Sequence, residues 1–141
     1  MGRGENAFDI YRRTCPVYQE EHSDIRRVEP YVYAQTVAAR ASYDEGAARN
    51  SWLTGTAAWT FVNISQYILG VKPTPAGLRI DPCLPGALEE YSVRRRYRGA
   101  AYHIHVVQTG TYSLSVDGEN VAGNLIPMKD GKKKYHVEVT V

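Results

Sequence analysis

Arg49-Asn50-Ser51-Trp52-Leu53-Thr54-Gly55-Thr56-Ala57-Ala58-Trp59 joins a polar, hydroxyl-rich segment to an apolar run that continues through Leu69 and stops at Gly70. The pattern predicts a helix beginning around Ser51 to Thr54 and ending at Leu69. Ala58, Phe61, Val62, Ser65, Ile68 and Leu69 share one face, while Ala57, Trp59, Ile64 and Tyr67 spread apolar surface around the rest. A helix that is apolar nearly all round belongs inside a larger assembly. Gly70 suits the left-handed conformation that terminates helices. Segments before this stretch carry a helical period and segments after it a period of two, so the expected class is α+β.

Working back from the stretch, Glu29-Pro30 is expected to open a helix over Tyr31 to Ala41, because proline at the first helical position gives up an N–H that has no partner there anyway. Tyr31, Ala34, Val37, Ala38 and Ala41 form its apolar stripe. Gln19 to Arg27 is dense in charge and reads as a solvated loop or the rim of a site. Its His22, Glu20 and Asp24 have no metal-ligand spacing. Glu5 to Arg13 reads as a first helix that ends before Pro16.

Forward from Gly70, Val71 to Gly77 contains Pro73 and Pro75 and reads as an extended linker, followed by a short strand at Leu78-Arg79-Ile80. Strict alternation then places Tyr91, Val93, Arg95 and Tyr97 on one face. Tyr102, Ile104 and Val106 follow the same rule, as do Tyr112, Leu114 and Val116, and finally Tyr135, Val137, Val139 and Val141. Asp117-Gly118 and Asp130-Gly131 are hairpin-turn signals. The expectation is an antiparallel, sandwich-like domain over 73–141, preceded by a partial helical segment over 1–72.

The chain has 141 residues, a formal net charge of +2 and two cysteines, Cys15 and Cys83, too far apart for a metal motif. That charge gives no ground for nucleic-acid binding. The basic Arg94 to Arg98 and Lys132 to Lys134 segments read as a solvated sheet face and hairpin. No apolar run approaches a membrane span. The start lacks the pattern of a signal peptide, so a cytoplasmic location is expected. No metal or cofactor is called for, and no complete catalytic constellation is present.

The chemistry gathers at Thr54-Gly55-Thr56. Without the lysine of a phosphate-binding glycine-rich loop, this is not a nucleotide motif. A helix start nevertheless presents backbone N–H groups and a favourable dipole to an anion, and threonine hydroxyls add donors. N-capping alone explains one threonine. Trp52 lies beside the cluster. Glu29 reads either as a carboxylate at the rim or as a helix-start residue, and neither it nor Asp24 or Asp81 is assigned as a general acid.

Several segments resemble one family. Val28-Glu29-Pro30-Tyr31-Val32-Tyr33-Ala34, Asn50 through Trp59, Gln66-Tyr67-Ile68-Leu69-Gly70, Gly77 through Pro85 and Tyr97-Arg98-Gly99-Ala100-Ala101-Tyr102 are similar, in this order, to the C-terminal part of the inverting disaccharide phosphorylases of glycoside hydrolase family 94, the cellobiose and chitobiose phosphorylase kind. The resemblance implies the terminal helices of an (α/α)6 barrel followed by a C-terminal β-domain. It implies cleavage of a β-linked disaccharide by inorganic phosphate as co-substrate, giving an α-sugar-1-phosphate. It assigns phosphate binding to Thr54 and Gly55, with Thr56, Trp52 and Glu29 as supporting residues. The family's general-acid aspartate and its phosphate-binding arginine and histidine have no counterpart here, and His22 lies too close to Thr54 to replace that histidine. The chain alone is therefore expected to be inactive and to work with an N-terminal portion or partner chain. Two other readings stand beside this one. In the first, the β-part is a non-catalytic carbohydrate- or protein-binding module with Tyr91, Tyr97 or Tyr102 as its platform. In the second, the chain is a structural homo-oligomer that pairs its helices between copies.

Overall fold

The computed structural model describes residues 3–29 and 31–141. The helix-opening role read for Pro30 lies outside the described residues. Among them, two compact units form, one of Glu5–Asn63 and one of Ile64–Val141 together with residues 3–4.

Helix α1 (Gly4–Thr14) matches the first apolar stripe and carries an Asp9–Arg13 ion pair one turn apart at 2.9 Å. Pro16 ends this helix and also opens the next turn, a 3₁₀ segment Pro16–His22, which leads into the short α2 (Ser23–Arg26). The charged stretch read as loop is thus mostly helical.

The helix expected over Tyr31 to Ala41 is not formed. Ala34–Val37 is strand β1, and it pairs antiparallel with β2 (Ala48–Ser51), Thr36 lying opposite Arg49. Val32, Tyr33, Thr36 and Val37 are β-branched or aromatic and favour a pleated surface. Tyr31 and Ala41, at the two ends of the expected helix, both have positive φ, 62° and 69°, which no right-handed helix accommodates. Helix α3 (Thr56–Val62) is short and passes into a π-helical turn, Asn63–Ile68.

In the second unit, β3 (Val71–Thr74), β4 (Gly77–Ile80) and β9 (Leu125–Pro127) form one sheet, in the order β3-β4-β9. The stretch read as linker is therefore its edge strand, a place that tolerates Pro73. The other sheet contains β5 (Glu90–Tyr97), β6 (Ala100–Val107), β7 (Ser113–Val116), β8 (Glu119–Asn120) and β10 (Lys134–Thr140), in the order β5-β6-β10-β7-β8. The strand β10 runs parallel to β6, with Tyr135 opposite Tyr102 and Val137 opposite Ile104, so the sheet is mixed rather than wholly antiparallel.

These observations correct the expected fold class. Three short α-helices among the described residues do not make part of an (α/α)6 barrel, and the sheets are open rather than a closed β-sandwich. Of the two helices read nearest the corner, a strand pair replaced one, while the other is helical from Thr56 through Ile68, its second half as a π-helical turn.

Side-chain alternation in the larger sheet follows the sequence. Tyr102, Ile104, Val106, Tyr135, Val137 and Val139 are buried and form one cluster with Val71, Leu78, Ile80 and Ile126 of the smaller sheet. Asp117-Gly118 turns β7 into β8. Asp130-Gly131 also turns, but it joins β9 of one sheet to β10 of the other, so the same local signal serves two purposes.

The Asp117 carboxylate accepts the His136 N–H at 3.0 Å and the Lys132 ammonium. Lys132, then the His136 amide, hold its pKa below the usual carboxylate value. A carboxyl with a depressed folded pKa stabilises the fold above its unfolded pKa, and that contribution disappears as pH falls through the folded value. Melting temperature should therefore fall on acidification through the acid carboxylate range, and Asp117→Asn should flatten that dependence.

Candidate functional site

The corner at the end of β2 is backbone-strained. Asn50 and Trp52 have φ of 56° and 70°; the left-handed region is easy for asparagine but costly for tryptophan. Trp52 is 73% exposed, and its indole N–H donates to Glu29 Oε1 at 3.2 Å. The Ser51 side chain, the Glu29 backbone and the Trp52 indole all stabilise the Glu29 carboxylate, in that order, and lower its pKa. In these bonds the Glu29 carboxylate is an acceptor that ties its segment to the loop after β2.

Two residues on, Thr54 Oγ1 accepts the Thr56 N–H at 3.1 Å, and the two hydroxyl oxygens lie 2.7 Å apart. Each hydroxyl has one proton. One is used between them, so the pair keeps a second O–H to donate elsewhere. The first bond of α3 runs from Trp59 N–H to Gly55 C=O at 3.0 Å, which leaves the Ala57 and Ala58 amides without an intrahelical acceptor. Gly55 is in the right-handed region (φ −75°), open to any residue. A side chain there would instead meet the Trp59 ring at 3.3 Å. The structure therefore assembles the five sequence-predicted residues as two pairs, Glu29 with Trp52 and Thr54 with Thr56, with Gly55 between the threonines.

Thr56 also borders a cavity of about 470 Å³ whose walls include Arg13, His22, Arg26, Tyr33 and Glu45. This is within the size range of small-molecule sites. Arg13 and Arg26 were not singled out from sequence. They are brought there because α1, the 3₁₀ turn and α2 line the same cavity as Ala34 and Val37 of β1, a tertiary event that no local pattern announces. The rim reading of Gln19 to Arg27 was the available signal, since Gln19, His22 and Arg26 all line the cavity. Burial raises the Tyr33 pKa, and the Tyr11 phenol, bonded to Cys15, is pushed up to about 12; neither is an acid for neutral-pH chemistry. Among the described residues no group of three or more His, Cys, Asp or Glu is placed to hold a metal, and no helix is long and apolar enough to cross a membrane.

The tyrosines named for a sugar platform are otherwise engaged. Tyr102 is buried, the Tyr91 hydroxyl donates to Leu69 C=O at 2.6 Å, and that of Tyr97 donates to Thr74 C=O.

Both parts of the chain match known families. Residues 1–70 match the catalytic domain of the glycosyl hydrolase 94 superfamily, and residues 72–122 match the C-terminal domain of glycosyl hydrolase family 65. The chain is homologous to the phosphorylases related to these two families. In particular, it is 36% identical over 99% of its length to N,N'-diacetylchitobiose phosphorylase of Vibrio proteolyticus. It is 39% identical over 86% of its length to the same-named enzyme of Vibrio furnissii, and 36% identical over 98% to solabiose phosphorylase of Paenibacillus borealis. The chain spans only 18%, 16% and 19% of those three proteins, respectively.

Proposed function

We propose that this chain acts as the C-terminal portion of an inverting glycoside phosphorylase, in which a β-linked disaccharide and inorganic phosphate give an α-sugar-1-phosphate and a free sugar. The homology to diacetylchitobiose phosphorylases along nearly the whole chain carries this reading. Thr54 and Gly55 hold the phosphate: the spare hydroxyl proton of the Thr54–Thr56 pair and the unbonded first-turn amides are the donors an anion needs. Thr56 orients Thr54, and Trp52 with Glu29 fixes the approach of the loop.

The chemistry needs a general acid at the leaving oxygen, and Glu29, the carboxylate hydrogen-bonded to the corner, is engaged as an acceptor from the Trp52 indole. The chain therefore contributes binding and needs an acid from elsewhere in the complete enzyme. The 141-residue chain by itself should release no sugar-1-phosphate from diacetylchitobiose, solabiose or cellobiose. A chimera in which it replaces the corresponding region of a Vibrio diacetylchitobiose phosphorylase should phosphorolyse that enzyme's substrate. Turnover by the isolated chain, or a folded but inactive chimera, would refute the assignment.

A further inference from the structure

We infer that the outward face of the larger sheet, at Arg94, His103 and His136, binds a phosphate group, as free phosphate or as the phosphate of a sugar phosphate. These residues belong to the β-rich unit and take no part in the corner proposed above. The register places Arg94 opposite His103 and His103 opposite His136, a single row across β5, β6 and β10. Burial of Tyr102, Ile104, Tyr135 and Val137 turns the intervening row outward. The two imidazole rings lie 5.6 Å apart, centre to centre. A hollow of about 300 Å³ opens over them, with Ser92, His105 and Glu138 on its far side.

The charge is graded across this hollow. In the next row, Arg96 and Lys134 flank the small Ala101, so the basic end has two histidines among Arg94, Arg96 and Lys134. At the other end His105 is held by Glu138 at 3.1 Å, with Glu90 at 3.9 Å. A continuous polyanion crossing the face would meet those carboxylates. A single phosphate fits at the basic end, and a hydroxylated substituent reaching toward Ser92 and Glu138 would find acceptors.

The alternative occupant, a divalent cation chelated by the two imidazoles, meets the same repulsion as a proton. Burial first, then Arg94, Lys134 and His136, depress the His103 pKa. The charged groups facing the pair are Arg94 and Arg96 from β5, His105 from β6, Lys134 and Glu138 from β10, and Asp117 after β7, whose carboxylate accepts the His136 backbone N–H, interacts with the His136 ring and is paired with Lys132. A bound phosphate would offset the positive field that depresses the His103 pKa. By linkage, binding then takes up protons and tightens as pH falls through the histidine range.

The test is imidazole NMR on the full 141-residue chain, titrated separately with inorganic phosphate and with α-glucose 1-phosphate. Thr54→Val serves as the background, so that the corner does not contribute. Both ligands should move the His103 and His136 ring signals, and affinity should rise roughly tenfold between about pH 7.5 and about pH 5.5. Tighter binding of glucose 1-phosphate would identify the sugar phosphate as the source, and equal binding would identify the free ion. Arg94→Gln, an exposed change that leaves the fold intact by amide dispersion, should weaken binding about tenfold, and Lys134→Gln should weaken it in the same direction. Ring signals that respond to Zn²⁺ but not to phosphate, or a phosphate response unchanged in both variants, would overturn the assignment.

Discussion

Gly70→Ala should destabilise the β-rich unit by about 3 kcal/mol or more. Gly70 sits at φ +67°, just past the π-turn, where its C=O accepts the Asp81 N–H at 2.8 Å. A Cβ there would lie 2.2 Å from both Asp81 C and Pro82 N. Those are backbone atoms at the end of β4, tied a second time by the Cys83 N–H to Ile68 C=O bond at 3.0 Å. They cannot yield as a flexible side chain would. Gly99→Ala is the matched control: its φ is +77°, but nothing lies within 4 Å of the added Cβ. It should cost only the left-handed penalty, about 1–2 kcal/mol. Denaturant midpoints of the two variants measure the difference, and equal losses would mean that the close approach at Asp81-Pro82 is not formed.

Tyr102→Ala should cost about 3–5 kcal/mol, a large share of the about 5–15 kcal/mol that holds a typical domain together. Tyr102 and Tyr135 are each 1% exposed and stack at 4.4 Å with an interplanar angle of 3°. They face each other across the parallel β6–β10 pair. Removing one ring leaves a cavity and strips its partner of a contact face. Burial, then the Tyr135 phenol, push the Tyr102 pKa up to about 12, so the Tyr102 ring stays neutral at ordinary pH. Tyr102→Phe should retain most of the lost stability, because the ring rather than the hydroxyl fills the space. Thermal and urea unfolding of the two variants test this; a Tyr102→Ala protein as stable as the parent would contradict the packing described.

Particular elements show what the chain reveals locally. Alternation placed Tyr102, Ile104, Val106, Tyr135 and Val137 on the buried face because a half-buried strand must sort its side chains by solvent. Gly70 was legible as a terminator because few residues adopt its φ. The segment from Tyr31 to Ala41 was misread because its alanine stripe satisfies a helical period, while its β-branched and aromatic residues satisfy a strand. Pairing with Ala48–Ser51 decided the matter, and pairing is tertiary. Parallel alignment of β10 on β6 was invisible for the same reason: alternation fixes which face is buried but not which neighbour is chosen.

At the candidate site, Thr54 and Thr56 were legible because hydroxyls and a glycine before an apolar helix have a physical use. The Glu29–Trp52 bond was not, since the two residues are far apart in sequence. Arg13 and Arg26 join the cavity beside Thr56 through the fold alone.

The role of Thr54 is tested most directly by the kinetics of Thr54→Val in the chimeric phosphorylase. The proposed phosphate contact predicts a KM for phosphate raised about tenfold or more, an unchanged KM for the disaccharide, and recovery in Thr54→Ser, since one charge-assisted hydrogen bond is worth about that factor. A phosphate KM that does not move in Thr54→Val, with the chimera folded and active, would contradict it.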